Sequence, residues 1–320
     1  MEYRRIEGID KALSRVVFGC AIPAMLRGED VNALLDDMYE LGINVFDTAE
    51  NYGLSEVCLG RWMKERRNRD KLVLISKGCH PYERDRVTPE DLRHDIEQSF
   101  ERLGTDYIDI YFMHRDDLKV DVGPMVEILN EYKKAGKIGV FGGSNWTHER
   151  IQEANRYAAE HGLTPFQVSS PNFGLCDQIG DPFGGGAGCV TISGRAGEEA
   201  RKWYREQEMP VFAYSSLGRG FFSGRVKSAR PEEAADVLDE FAVKGYCYPE
   251  NFERLRRVEQ LAQEKNCTVP QLALAWVLAQ PLKVFPLVSA SAKERMMKNL
   301  AALEIRLTAG ETAWLNLNYS

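Results

Sequence analysis

The stretch Phe46-Asp47-Thr48-Ala49-Glu50-Asn51-Tyr52-Gly53 follows a short apolar run and ends on a glycine. This pattern is typical of a buried strand that leads into a loop. It places a carboxylate, Asp47, at the end of the strand and a phenol, Tyr52, five residues later. Because a tyrosine ordinarily titrates at about pH 10, Tyr52 makes a useful proton donor only where a buried cation lowers its pKa.

The next two apolar runs supply the groups that such a phenol needs. The run Leu72-Val73-Leu74-Ile75-Ser76 leads directly into Lys77, and the run from Tyr107 to Met113 ends at His114. Three consecutive strands therefore end in Asp/Tyr, Lys and His, which indicates an acid–base site rather than scattered polar residues.

Helix signals separate the apolar runs along the whole chain. For example, Thr88-Pro89-Glu90-Asp91 is a capping sequence with proline at the first helical position, and Gly104 ends the helix that it begins. The strand cores are apolar at consecutive positions, as expected of parallel strands buried on both faces. We predict strand cores at residues 16–18, 43–46, 72–76, 107–113, 138–141, 166–168, 211–214 and 284–288.

Eight strands that alternate with helices predict an α/β protein with a closed (β/α)8 TIM barrel, and an open doubly wound sheet is the alternative. We also expect an N-terminal β-hairpin and long loops at the site. No change of composition marks a boundary, so a single domain over residues 1–320 is predicted.

The composition excludes several classes of function. A net charge of -7 and a pI near 5.5 argue against a nucleic-acid or anionic-membrane partner. The sequence has no apolar run of the roughly 20 residues that a membrane span needs, and its N-terminus lacks the apolar core of a signal peptide. The 7 cysteines show no CxxC pair, which favours reduced thiols and a cytoplasmic location. Oligomeric state is left open.

In a TIM barrel the active site is built from the loops that follow the strands. Polar residues occur at these points one strand after another, and this succession gives them more weight than any one of them carries alone. They are Asp47, Tyr52, Lys77, His114, Ser144, Asn145, Gln167, Asn172, Tyr214, Ser289 and Ser291.

The sequence resembles the aldo-keto reductases, and the resemblance spans nearly the whole chain. The Phe46–Gly53 stretch matches the signature of that family. Four further motifs match in order: Ser76-Lys77-Gly78, Met113-His114-Arg115-Asp116-Asp117, Gly142-Gly143-Ser144-Asn145 and Tyr214-Ser215-Ser216-Leu217-Gly218.

The resemblance implies a catalytic set of four residues. Tyr52 would donate a proton to the substrate carbonyl oxygen as hydride arrives from a nicotinamide. Lys77, held by Asp47, would lower the pKa of the phenol, and His114 would orient and polarise the carbonyl. This role is physically sensible, because one buried ammonium stabilises both a phenolate and an oxyanion.

The resemblance also implies NADPH as the cofactor, with NADH as the second option. Ser144, Asn145 and Gln167 would hold the carboxamide, Tyr214 would stack on the nicotinamide, and Asp47 would lie beside it. The pyrophosphate and adenosine would be held by Ser215, Ser216, Leu217, Gly218, Arg219, Gly220, Arg225, Ser289, Ser291, Arg295 and Asn299. Of these, Arg295 would suit a 2′-phosphate.

The sequence departs from the family pattern in three places. Ser289 replaces the glycine or lysine of many members, and no aromatic residue precedes Asn172. The glycine-rich insertion Asp181–Cys189 has no counterpart in the family pattern, and we interpret it as a mobile lid over the substrate.

Three alternatives remain open from the residues themselves. A Schiff-base aldolase would use Lys77, a non-catalytic regulatory subunit would only hold a nucleotide, and a metal-dependent hydrolase is disfavoured because the histidines lack metal-ligand spacing. The substrate is also undecided. Arg115, Asp116 and Asp117 would suit a hydroxylated carbonyl such as a sugar, whereas Trp146 and Phe221 would suit an aromatic one.

Overall fold

The alternating strands and helices form a closed barrel of parallel strands in a computed structural model, which describes residues 1–183 and 188–318. The chain begins with an antiparallel hairpin of β1 (Tyr3–Arg4) and β2 (Leu13–Ser14). The barrel strands are β3 (Val17–Gly19), β4 (Val45–Asp47), β5 (Val73–Gly78), β6 (Ile108–Met113), β7 (Ile138–Ser144), β8 (Val168–Ser170), β9 (Val211–Ala213) and β10 (Val284–Val288). They follow the order β10-β3-β4-β5-β6-β7-β8-β9, which confirms the predicted TIM barrel and rejects the open sheet.

Helices occupy the connections between the strands. The described helices are α1 (Pro23–Leu26), α2 (Asn32–Glu40), α3 (Ser55–Arg66), α4 (Pro89–Leu103), α5 (Gly123–Lys134), α6 (His148–Glu160), α7 (Glu198–Glu206), α8 (Ala234–Val237), α9 (Glu240–Tyr246), α10 (Pro249–Glu264), α11 (Val269–Leu278), α12 (Lys293–Leu300) and α13 (Ala309–Leu315). Short 3₁₀ turns lie at Arg69–Lys71, Gly218–Gly220, Pro231–Glu233 and Ala301–Glu304.

The ends of α4 show why the local sequence specifies this helix. The Thr88 hydroxyl accepts a hydrogen bond from the Asp91 N–H, and Pro89 occupies the first helical position, where no N–H is needed. Gly104 ends the helix in the left-handed conformation, with φ +61°. Both predicted ends of α4 are therefore confirmed.

The barrel strands carry the core. Every residue of β3 to β9 is buried, as the consecutive apolar positions predict. Each large apolar side chain removed from water in this way contributes about 1.5–3 kcal/mol. Most strand boundaries differ from prediction by one to three residues; for example, β7 continues to Ser144 and β8 begins at Val168 instead of Phe166.

Two adjacent glycines in β7 allow unusually close packing. A Cβ on Gly142 would overlap the backbone oxygen of Val168, and a Cβ on Gly143 would overlap the ring of Trp146. Only glycine allows β8 and the Trp146 side chain to approach β7 this closely.

The chain divides into two compact units. The first comprises Met1–Ser170 and Ser289–Met296, and the second comprises Pro171–Val288 and Met297–Ser320. The single domain stays a prediction. Among the described residues, no helix is both long and apolar enough to cross a membrane.

Candidate active site

Three neighbouring strands of the first unit bring the predicted acid–base residues together. Asp47 is the last residue of β4, Lys77 is the last but one of β5, and His114 directly follows β6. The Lys77 Nζ lies 2.7 Å from Asp47 Oδ1 and donates to the Thr48 carbonyl oxygen at 2.8 Å. It also lies 5.0 Å from the centre of the Tyr52 ring, so the ammonium and the phenol are neighbours as predicted.

The loop that carries Tyr52 is tied to the strand that carries Lys77. The Thr48 N–H donates to the Ile75 carbonyl oxygen at 2.8 Å, and the Glu50 N–H donates to the Lys77 carbonyl oxygen at 2.9 Å. On its other side, the Tyr52 ring meets the His114 ring edge to face, with centroids 5.6 Å apart. Tyr52 therefore lies between a buried ion pair and an imidazole.

The surroundings fix the protonation states of these groups. Burial lowers the pKa of Lys77, but the charge and hydrogen bond of Asp47, together with Tyr52 and Cys20, outweigh burial and leave the pKa above its ordinary value. Burial lowers the pKa of His114 well below its ordinary value, and Lys77 and Arg115 lower it further. Lys77 is thus an ammonium and His114 a neutral imidazole at neutral pH.

The pKa of Tyr52 differs from the expectation in its net direction. Lys77 lowers this pKa as predicted, but the loss of water around the phenol has the larger effect and raises the pKa above its ordinary value. The phenol therefore keeps its proton at neutral pH, which is the state that a proton donor requires.

A charged network that the sequence did not suggest supports the Tyr52 loop from outside. The Arg102 guanidinium donates to the Glu50 carbonyl oxygen at 2.8 Å, and the Tyr82 hydroxyl donates to the Glu50 carboxylate at 2.7 Å. Arg86 lies 3.7 Å from the same carboxylate and pairs with Asp95 at 2.5 Å. The contacts of Glu50 join residues far apart in sequence, so spacing alone gives no signal for them.

The two polar residues at the end of β7 are also within the first unit. The Ser144 hydroxyl donates to the Ser170 carbonyl oxygen at 2.9 Å. The Asn145 amide donates to the His114 carbonyl oxygen at 3.2 Å, and its backbone has φ +59°. Asn145 is thereby fixed beside the acid–base residues.

Gln167 is not brought together with Ser144 and Asn145. It precedes the first residue of β8, and its side-chain Nε2 lies 3.4 Å from where a Cβ on Gly8 would be, next to the N-terminal turn. At about 3.3 Å per strand residue, Gln167 is about 10 Å down the strand from Ser170.

Ser170, rather than Gln167, lies beside Ser144. It pairs in register with Ser144, and its buried hydroxyl has no hydrogen-bond partner among the residues that the structure describes. The sequence contains a signal for Ser170, because this residue ends β8 as Ser144 ends β7. The predicted strand ends at Val168, so Ser170 does not stand out as a strand-end residue.

The second unit holds the predicted nicotinamide-stacking and pyrophosphate residues. Tyr214 follows β9 and pairs with Asn172 in an isolated bridge. Positive φ angles follow at Ser215 (+52°), Gly218 (+57°), Arg219 (+50°) and Gly220 (+96°). The Gly218 and Gly220 N–H groups donate to the Ser215 and Leu217 carbonyl oxygens at 2.7 Å and 3.2 Å, so these positive φ angles form a tight, internally hydrogen-bonded turn.

The side chains of this loop have protein partners. The Ser216 hydroxyl donates to the Ala213 carbonyl oxygen at 2.9 Å, and the Arg219 Nε lies 2.9 Å from both oxygens of Asp239. Arg225 is exposed and reaches Ser223 at 3.3 Å, while Leu217 is partly exposed.

The predicted adenosine residues follow β10. The Ser289 hydroxyl donates to the Gly19 carbonyl oxygen at 2.7 Å, and Ser291 and Arg295 are exposed. Asn299 is a buried residue of α12. Their cofactor roles stay predictions.

The predicted substrate-side residues are more buried than expected. Arg115 is buried, and Asp116 pairs with Arg150 at 3.1 Å, so only Asp117 keeps the predicted character of a polar rim. Trp146 and Phe221 are core residues, and their suggested contact with an aromatic substrate stays a prediction. Residues 184–187 of the predicted lid lie outside the described part of the chain.

A parallel barrel with an Asp–Lys pair, a tyrosine and a neutral histidine at adjacent strand ends defines a barrel enzyme with a built acid–base site. The model of the aldo/keto reductase family matches residues 19–316. The chain belongs to the aldo-keto reductase family, and it is accordingly an NAD(P)H-dependent oxidoreductase.

Curated relatives agree with this assignment. Norsolorinic acid reductase B of Dothistroma septosporum is 28% identical over 91% of this chain and 72% of its own length. Aldo-keto reductase yakc of Schizosaccharomyces pombe, whose name specifies NADP(+), is 29% identical over 91% of this chain and 84% of its own. The NADH-specific methylglyoxal reductase of Escherichia coli is 28% identical over 85% of this chain and 82% of its own.

Proposed function

We propose that this protein reduces an aldehyde or ketone to an alcohol, with NADPH as the preferred hydride donor and Tyr52 as the proton donor. The observation that carries the proposal is the Lys77 ammonium, which lies 2.7 Å from Asp47 and 5.0 Å from the centre of the Tyr52 ring. A protonated phenol beside a fixed cation suits a reaction in which negative charge develops on oxygen.

Each of the four residues then has a distinct task. Tyr52 gives its proton to the carbonyl oxygen, and Lys77 stabilises the phenolate that remains. Asp47 holds Lys77 in place and keeps it charged. His114, being neutral, offers a ring N–H to the carbonyl without adding a second charge.

The residues present fit a nicotinamide dinucleotide. A carboxamide has both donor and acceptor groups, and the buried hydroxyl of Ser170 is unpaired among the described residues. Ser144, Asn145 and Ser170 would hold that group. When bound, the cofactor supplies a hydride.

The preference for NADPH rests on Arg295, whose exposed guanidinium suits a 2′-phosphate. The relatives named above include one NADP(+) enzyme and one NADH-specific enzyme, so NADH is retained as the second option.

The contacts of Lys77 disfavour a Schiff-base aldolase. An amine must lose its charge before it attacks a carbonyl. Asp47 and the Thr48 carbonyl oxygen instead stabilise the charged form of Lys77, and the pKa of Lys77 is raised. A purely regulatory nucleotide-binding role would leave the buried acid–base set without a use.

A panel of aldehydes and ketones tests the proposal by the loss of NADPH and NADH absorbance. Wild-type protein is compared with Tyr52→Phe, which removes only the phenolic proton. We expect Tyr52→Phe to lower kcat by at least the roughly 10²–10⁴-fold that is typical of general acid catalysis, with unchanged cofactor affinity. Tyr39→Phe, in helix α2, is the matched control and should keep the wild-type rate.

Two results would contradict the proposal. Full activity of Tyr52→Phe would remove the proton donor, and borohydride trapping of a carbonyl compound on Lys77 would support the aldolase instead.

A further inference from the structure

His80 is a second histidine beside the acid–base residues, and the proposed chemistry does not use it. Its ring meets the His114 ring at a centroid distance of 4.9 Å. Since the Tyr52 ring contacts His114 at 5.6 Å, both Tyr52 and His80 adjoin the imidazole that would orient the substrate carbonyl. His80 is partly exposed, unlike His114.

The hydrogen bond of the His80 ring determines which nitrogen is free. Its Nδ1 lies 2.7 Å from the Pro81 carbonyl oxygen. A carbonyl oxygen only accepts hydrogen bonds, so Nδ1 must carry the proton and Nε2 must carry a lone pair. Burial lowers the pKa of His80 to about 4, and Arg115 contributes to this shift. The ring therefore presents a hydrogen-bond acceptor at neutral pH.

The backbone around His80 is held firmly. The Cys79 N–H donates to Asp95 at 2.7 Å, and the His114 N–H donates to the Gly78 carbonyl oxygen at 2.7 Å. Arg86 pairs with Asp95 and reaches the His80 carbonyl oxygen at 3.5 Å. The acceptor is thus positioned before any ligand binds, which reduces the entropy cost of using it.

We propose that His80 is a specificity-determining residue that accepts a hydrogen bond from a hydroxyl group on the carbon next to the reacting carbonyl. The preferred substrates are then α-hydroxy aldehydes and α-hydroxy ketones. This inference rests on the proposed function, because it assumes that the carbonyl binds beside His114. The His80 ring lies beside the His114 ring, which would orient the carbonyl. An acceptor on His80 therefore favours a substrate with a hydrogen-bond donor on the carbon next to that carbonyl.

Isosteric substrate pairs test this proposal without changing substrate size. Hydroxyacetone is compared with 2-butanone, and glycolaldehyde with propanal, in wild type, His80→Phe and His80→Gln. His80→Phe keeps a ring against His114 but removes the acceptor, whereas His80→Gln keeps an acceptor oxygen.

We expect His80→Phe to lower kcat/KM by about 10-fold for the hydroxylated member of each pair, because the hydrogen bond to the substrate hydroxyl is lost. The loss should lie mainly in KM, and kcat/KM for 2-butanone and propanal should stay within about 3-fold of wild type. His80→Gln should restore part of the preference for the hydroxylated member.

The outcomes distinguish this inference from the proposed function. Equal losses for both members of a pair would show that His80 acts only by supporting His114, and no loss for either member would show that it binds nothing. Either result overturns the inference while carbonyl reduction stands. If the wild type reduces no carbonyl compound with either nucleotide, the proposed function itself fails.

Discussion

The acid–base residues of the first unit and the loop Tyr214–Arg225 of the second unit are built in different ways. Asp47, Lys77 and His114 are buried at the ends of adjacent strands, and they contact one another or Tyr52 directly. The loop instead is a tight turn with several positive φ angles and exposed cations, and Arg219 pairs with Asp239.

This difference separates two kinds of contribution. The acid–base set has its charges and protonation states in place without a ligand, so its residues should affect the rate of the chemical step. The loop carries exposed guanidinium groups, at Arg219 and Arg225, so its residues should affect cofactor affinity. A single substitution that changed both kcat and cofactor affinity would contradict this distinction.

Lys77→Met should give the largest effect. Removing the ammonium takes away the charge that stabilises the phenolate and leaves Asp47 buried without its partner, so kcat should fall by about 10²–10⁴-fold. Cofactor affinity, measured by quenching of protein fluorescence, should change by less than about 3-fold if the variant stays folded. Lys64→Met, an exposed lysine of α3, serves as the control. A normal kcat in Lys77→Met would remove the proposed role of this residue.

Arg219→Ala should reverse this pattern. Loss of one charge-assisted contact corresponds to about 1.5 kcal/mol, so the Kd for NADPH should rise by about 10-fold while kcat is preserved. Arg230→Ala is the matched control, because Arg230 is another exposed arginine that pairs with an acidic residue, Glu233. A change in kcat without a change in Kd would place Arg219 with the chemistry instead.

Arg295→Gln should act on one nucleotide only. If the guanidinium binds a 2′-phosphate, the Kd for NADPH should rise by about 3- to 10-fold and the Kd for NADH should not change. Lys298→Gln, on the same helix, is the control. Equal changes for both nucleotides would show that Arg295 does not read the 2′-phosphate.

The smallest predicted effect concerns acid stability. The pKa of His80 is about 4 in the folded protein and about 6.5 in the unfolded chain, so only the unfolded chain binds the proton between these values. Stability should therefore fall as the pH decreases from 7 to 5, by about 1 kcal/mol after allowance for the partial exposure of the ring.

Urea unfolding at pH 7 and pH 5 measures this contribution. His80→Phe should lose less stability than wild type over the interval, whereas His161→Phe, an exposed histidine after α6, should behave like wild type. Identical losses in wild type and His80→Phe would show that the His80 ring is already protonated in the folded protein.

The sequence predicted the barrel and the acid–base set because both depend on local patterns. Apolar runs followed by Asp47, Lys77 and His114 mark strand ends, and neighbouring parallel strands bring their ends together. Gln167 shows where this reasoning stops. The family resemblance implies Gln167 as a carboxamide ligand, but β8 runs from Val168 to Ser170 and the Gln167 amide lies near the N-terminal turn.

Pairings between distant segments were also invisible in the sequence. The ion pairs of Arg86 with Glu50 and of Asp116 with Arg150 depend on how loops fold over the helices, and no spacing rule predicts them. His80 was missed for the same reason, because its relation to His114 appears only when β5 and β6 pair.

The glycine pair of β7 sets a limit on how this enzyme can be engineered. Any side chain at Gly142 must displace the backbone of the next strand, and any at Gly143 must displace a buried tryptophan. Ser144 and Asn145 directly follow the two glycines, so such a displacement would also move Ser144 and Asn145. Mutant libraries that aim to change the proposed cofactor preference should therefore keep both glycines and vary positions outside β7.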